Sequence, residues 1–181
     1  MSVRSVPGMI MGIVFVAVTT TMAALSVAQG ARVPEATPTQ LVQFTIRDRV
    51  AGLEWLRCSV GQVWNGFTCI GVAQTLTLAQ AGKAAAMASR ELGGSWRLPT
   101  LSELQSLVCA DCPPPKIDGR LYPNTMATAY WTSSENHWSF GRYWSVNFHT
   151  GHAFGRNAQD TARHVRLVRD LPRRPGQRKD P

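Results

Sequence analysis

The chain has 181 residues, a formal net charge of +8 and a sequence pI near 10.0. Its length allows one ordinary domain with a real core, and the absence of any internal repeat excludes a repeat architecture. The excess of basic residues points to acidic partners: acidic glycans, anionic lipid head groups or nucleic acid.

Arg4 is the only charge before Arg32, and Met9 to Val18 is apolar apart from the neutral Gly12. Ser26 and Ala28 then occupy the small-residue positions of an export cleavage site. Residues 1–28 are therefore read as a signal peptide cut after Ala28, with a cut after Gly30 as the near alternative. An uncleaved membrane anchor is the competing reading. No second apolar run of spanning length follows. The mature chain is expected outside the cytoplasm, periplasmic or extracellular, with no membrane span. Residues 29–40 read as a linker rich in Pro, Thr and Ala, residues 41–171 as the domain, and residues 172–181 as a basic disordered tail.

Val42, Phe44 and Ile46 alternate with Gln43, Thr45 and Arg47, which predicts a half-buried strand. Asp48 to Gly52 turns the chain, and Leu53, Trp55 and Leu56 return to the core. Four cysteines in an exported chain read as disulfides, and sequence alone allows three pairings. Cys58–Cys69 with Cys109–Cys112 is the favoured set, because each pair is local and flanks a turn-rich stretch. Closing the first loop is worth about 2–3 kcal/mol through the unfolded chain.

Thr77 to Leu92 is the clearest helix. Leu78, Ala81, Ala85, Ala88 and Leu92 recur at spacings of three and four. Thr77 with Gln80 forms a capping box, and Gly93-Gly94 stops the helix. The stretch Trp96 to Leu104, WRLPTLSEL, follows. Thr100 and Glu103 have the spacing of a second capping box, which predicts a short helix ending near Cys109. Cys112 to Tyr130 holds Pro113, Pro114, Pro115 and Pro123 and reads as an ordered surface loop. Tyr130 to Ser133 starts a strand, Glu135 to Arg142 is a loop, and Trp144, Val146 and Phe148 mark another strand. His164 to Arg169, HVRLVR, reads as a closing strand. Helices early and hairpins late predict an α+β domain, with the first and last strands paired and bringing the termini together.

The residues also resemble a known family. The segments DRVAGLEW at 48–55, RCSVGQVWNGFTC at 57–69, WRLPTLSEL, YPNT at 122–125, YWTSS at 130–134, WSVNF at 144–148 and VRLVR at 165–169 are similar to the Lcl C-terminal domain family. That family is bacterial, of largely unknown function, and placed in the C-type-lectin-like superfamily. The resemblance implies a C-type-lectin-like fold, with two helices packed on antiparallel strands and long loops. The family takes its name from a collagen-like adhesin whose C-terminal domain is associated with glycosaminoglycan binding. No collagen-like repeat occurs here. The RLPT joint also looks like one in formylglycine-generating enzymes, but their catalytic cysteine arrangement is not recognisable.

Each chemical candidate has a structural counter-reading. Cys109-Ala-Asp-Cys112 has redox spacing, yet it follows a helix instead of opening one, so a structural disulfide is expected. His149 and His152 flank a turn without a nearby acid, so no metal site is expected there. The acid-bearing calcium motifs of sugar-binding lectins are missing, and no cofactor is expected. Glu103 is used as a cap, and Arg97 is read as a loop anchor. Trp55, Trp96, Trp131 and Trp144 read as core, and Trp138 as the exposed aromatic. The expected function is a non-enzymatic binding module for acidic glycans or other cell-surface polymers, without specific nucleic-acid binding. Its candidate contacts are Trp138, Arg142, Arg163, Arg166, Arg169, Arg173, Arg174, Arg178 and Lys179, away from the WRLPT joint. A thiol- or metal-dependent enzyme of the same fold group, or a structural subunit of a surface assembly, are the alternatives. For the tail itself, a solvated solubility segment is the competing reading.

Overall fold

The computed structural model describes residues 44–172. Among the described residues ten strands and two helices follow one another in an α+β arrangement. Val42, the segments read above as signal peptide and linker, and the basic residues from Arg173 onward lie outside the described residues.

Strands β1 (Thr45–Asp48) and β2 (Leu53–Leu56) form a hairpin. Its turn is held by the Asp48 carboxylate, which accepts from the backbone of Val50 and Ala51. The alternation predicted here has the opposite emphasis on β1. Thr45 is buried and Ile46 only partly so. Thr45 donates its hydroxyl to Glu54, a carboxylate with no exposed surface in the middle of β2.

β3 (Val63–Trp64) and β4 (Cys69–Ile70) form a small hairpin closed by the Cys58–Cys69 disulfide. Cys109 pairs with Cys112, and there is no free cysteine. β5 (Thr75–Leu76) then leads into helix α1 (Leu78–Leu92), capped by Thr77 and Gln80 as the spacing predicts. Its small Ala81 and Ala85 are the buried residues, so the helix approaches closely. α2 (Leu101–Gln105) has the Thr100–Glu103 capping box. It stops four residues short of Cys109 because Ser106 ends the helical ladder and turns carry Leu107 and Val108 onward.

The last part of the chain builds a five-stranded sheet in the order β5-β9-β6-β7-β8. β6 spans Ala129–Glu135, β7 Arg142–Asn147, β8 Ala153–Ala158 and β9 Arg163–His164. The sheet is mixed: β6 runs parallel to β9 at Tyr130 and His164, while its other pairs are antiparallel. Tyr130 and Trp131 are neighbours on β6, point to opposite faces, and are both fully buried. The sheet therefore separates two cores. One holds Trp55, Leu104, Ile117, Tyr122, Tyr130, Val146, Phe148 and Val168. The other holds Ala81, Ala85, Trp96, Leu98, Trp131, Val165 and Leu167.

Four further expectations need correction. The proline-rich segment is not all surface, since Ile117, Tyr122 and Thr125 are buried from it. Trp144 is only half-buried, because its ring lies over Gly155 near the edge of the sheet. The closing strand is broken into β9 and β10 (Val168–Asp170). β1 and β10 do not pair with each other; both pair with β2, in the order β1-β2-β10. Among the described residues no helix is long and apolar enough to cross a membrane.

Candidate functional site

Arginines decide where this surface can act, so each must be located. Arg166 lies in the break between β9 and β10 and has no exposed surface. Its guanidinium donates to the carbonyls of Leu56 and Arg57 and to the Thr125 hydroxyl, the last at 2.7 Å. It also lies 4.8 Å from the centre of the Tyr122 ring. No carboxylate is paired with it among the described residues. Burial pushes its pKa down, and burial likewise raises the Tyr122 hydroxyl to about 12. Arg166 ties the disulfide loop, the proline-rich segment and the sheet together, and it is not a ligand contact.

Arg169, on β10, is also a structural cation. It donates to both Glu54 at 2.8 Å and the carbonyl of Gly93 at 2.8 Å, and it stacks over Trp96 at 4.6 Å. A side chain at Gly94 would come within 2.5 Å of it, and the backbone there has φ +82°, so glycine is required twice over. Burial raises the Glu54 carboxyl, but hydrogen bonds from Arg169, Thr45 and Arg47 more than offset this and hold it below the usual carboxylate range.

A different group of arginines faces solvent. A cleft of about 810 Å³ is lined by Arg47, Arg49, Arg97, Glu103 and Asp170, with Gly52, Leu53, Leu171 and Pro172 on its walls. Arg47 reaches it from β1, with its Nε on Glu54 at 3.1 Å. Arg49 reaches it from the β1–β2 turn and is exposed, with no carboxylate partner among the described residues. Arg97, from the WRLPT joint, makes a two-point contact with Glu103 at 2.8 and 2.9 Å and a third bond to Asp170 at 2.6 Å. Hydrogen bonding to Glu103 raises the Arg97 pKa. For Glu103 burial opposes ionisation, yet Arg97 and the Thr100 backbone N–H hold it below the ordinary range.

Glu103 thus caps a helix and fixes an arginine with the same carboxylate. The Asp170 side chain, by contrast, is 76 % exposed. A second cleft of about 390 Å³ lies beyond it, lined by Gly94, Ser95, Arg97, Arg169, Asp170 and Pro172. The Arg97–Asp170 pair is therefore the partition between two clefts. Pro172 borders both, so the chain bearing Arg173, Arg174, Arg178 and Lys179 begins at their shared rim.

The other sequence candidates lie on the loop 136–141 between β6 and β7 and on strands of the same sheet. Trp138 is 94 % exposed, and Phe140, which sequence reading passed over, is 99 % exposed. Arg142 opens β7 and is exposed. Arg163 on β9 donates to the Asn157 side chain on β8, and Asn157 pairs with Tyr143, next to Arg142. His149 and His152 lie in the β7–β8 turn, and among the described residues no group of three or more His, Cys, Asp or Glu could hold a metal ion.

The sequence that builds these elements matches one family model. Residues 44–169 match the model of the Lcl C-terminal domain. The chain belongs to the Lcl C-terminal domain family. A comparison with curated proteins finds no match. The matched range covers β1 through Arg169, so the cleft walls at Asp170 to Pro172 and the basic end fall just outside it. Sequence reading missed the Arg47–Arg49–Arg97 cleft because its residues come from separate segments. The available signal was the placing of Arg47 and Arg49 around a turn.

Proposed function

We propose that this Lcl C-terminal domain is an exported, non-enzymatic binding module for acidic glycans or other cell-surface polymers, with a C-type-lectin-like fold. The contact is made by the Arg47–Arg49–Arg97 cleft together with the basic end that starts at its rim. One observation carries this reading. Leu171 and Pro172 are walls of the arginine-lined cleft, so the basic tail departs from the place where folded arginines already converge. The buried Glu54 and the half-buried Glu103 hold Arg47 and Arg97 in place, which lowers the ordering cost of gripping a carboxylate or sulfate. Guanidinium groups also match such anions with paired N–H donors.

The test is a glycan array and a heparin-type column, run on residues 29–181 at two salt concentrations. Retention is expected to fall steeply with salt. It should also fall in Arg47→Ala/Arg49→Ala and after deletion of residues 173–181. Salt-insensitive retention, or retention unchanged by both alterations, would overturn the reading. Export is tested separately by N-terminal sequencing of the protein recovered outside the cytoplasm, where Gln29 is the expected first residue.

A further inference from the structure

The aromatic loop between β6 and β7 asks for a different partner from the arginine cleft. Trp138 and Phe140 are both almost fully exposed, two residues apart, on a six-residue connection. Such rings usually fold back on a domain unless something holds them out. Here the loop is braced from within. The Asn136 side chain is buried, accepts from the backbone N–H of Trp138 at 3.0 Å and donates to the Gly155 carbonyl at 2.8 Å. The backbone N–H of Gly141 donates to the Glu135 carboxylate at 3.0 Å. Asn136 and Arg142 also close the loop through their backbones.

This bracing occupies the Asn136 amide and the Glu135 carboxylate. Outward at the tip stand the two rings, with the exposed His137 beside them and cations at the base of the loop. Arg142 and Arg156 are exposed on adjacent strands, β7 and β8, on one face of the sheet. Neither has a carboxylate partner among the described residues. Apolar rings leading and cations behind is the order of chemistry met on entering an anionic bilayer from water: first acyl-chain boundary for the rings, then phosphate level for the guanidinium groups.

From this arrangement we infer that the 136–141 loop docks the domain on an anionic lipid surface, inserting Trp138 and Phe140 at the interface while Arg142 and Arg156 contact head groups. The site is separate from the arginine cleft and does not depend on it.

The experiment uses the full chain with phosphatidylcholine vesicles, with and without phosphatidylglycerol, carrying bromine on their acyl chains. Emission quenching by the bromines is expected with phosphatidylglycerol present, and the Trp138→Phe variant should lose that quenching while still binding vesicles. This local readout is insensitive to any contribution of the apolar N-terminal segment. Trp138→Ala/Phe140→Ala should cut loop-dependent association by about tenfold or more. Because both side chains are exposed, the variant should keep the wild-type melting profile. Quenching that is the same in wild type and Trp138→Phe would overturn the inference. So would a Trp138 response to soluble heparin-type chains but not to vesicles, which would make the tip a sugar platform. Equal quenching on neutral and anionic vesicles would overturn the role of the arginines.

Discussion

Arg166 and Arg97 are the same residue type in two opposite settings. Arg166 is sealed among carbonyls, hydroxyls and aromatic faces, without an acid. Arg97 is pinned by Glu103 on one side and shares an exposed Asp170 on the other. The first arrangement spends the guanidinium on joining segments of chain. The second keeps a positive group at the surface in a fixed pose, with a carboxylate that another anion could replace. Basic composition therefore overstates the binding surface, because arginines such as Arg166 and Arg169 are internal fittings.

The sharpest way to break this contrast is to remove the interior member. Arg166→Met should destabilise the domain by about 3–5 kcal/mol, because the buried carbonyls and Thr125 lose their donor. Chemical denaturation would read this, and Arg166→Lys should restore little, since one ammonium cannot span those acceptors. Glu54→Gln comes next, at about 3 kcal/mol, because Arg169 loses its charged partner inside the fold. A loss below about 1 kcal/mol for either variant would mean that solvent replaces the missing group.

Acid should act through the same carboxylates. Burial lowers the His164 pKa, so the unfolded chain takes up that proton first. Stability contributed by neutral His164 is complete above the ordinary histidine value near 6.5 and shrinks as pH falls below it. Glu54 and Glu103 are held below their ordinary value near 4.5, so their contribution is complete above that value and is lost as pH falls through the folded values. Melting temperature measured against pH should show both declines, and Glu54→Gln should flatten the lower one. The smallest stability effect belongs to the exposed member of the contrast. Arg49→Ala should change stability by less than about 0.5 kcal/mol while reducing retention on acidic glycans. A clear stability loss there would move Arg49 into the structural class.

Local signals made the helices legible. Each has a capping box within four residues, and α1 adds a stripe that meets a sheet through alanines. The α+β order was readable for the same reason. Tertiary partners explain what was hidden. Glu54 sits between Leu53 and Trp55 in a short strand, and nothing nearby announces that Arg169, over a hundred residues later, will neutralise it. Arg166 looked like part of one closing strand, but it turns inward where β9 and β10 break apart. Ile117 and Tyr122 were masked by surrounding prolines. Of the sites, Trp138 was visible as an aromatic in a polar loop. The cleft was not, because Arg47, Arg97 and Asp170 meet only through the pairing of β1 and β10 around β2 and the bridge from Arg97 to Val168.

That three-stranded arrangement has a mechanical consequence. β1 and β10 run in the same direction on either side of β2, so the described chain begins at the Leu56 end and leaves at the Leu53 end. A load applied between Thr45 and Asp170 pulls along the strands, in opposite senses on the two edges. Every hydrogen bond of the small sheet must then fail together under shear, where a zipper would part them one at a time. For a domain held at one end and gripping a surface at the other, this geometry converts a few weak bonds into a tether that resists sudden pulling.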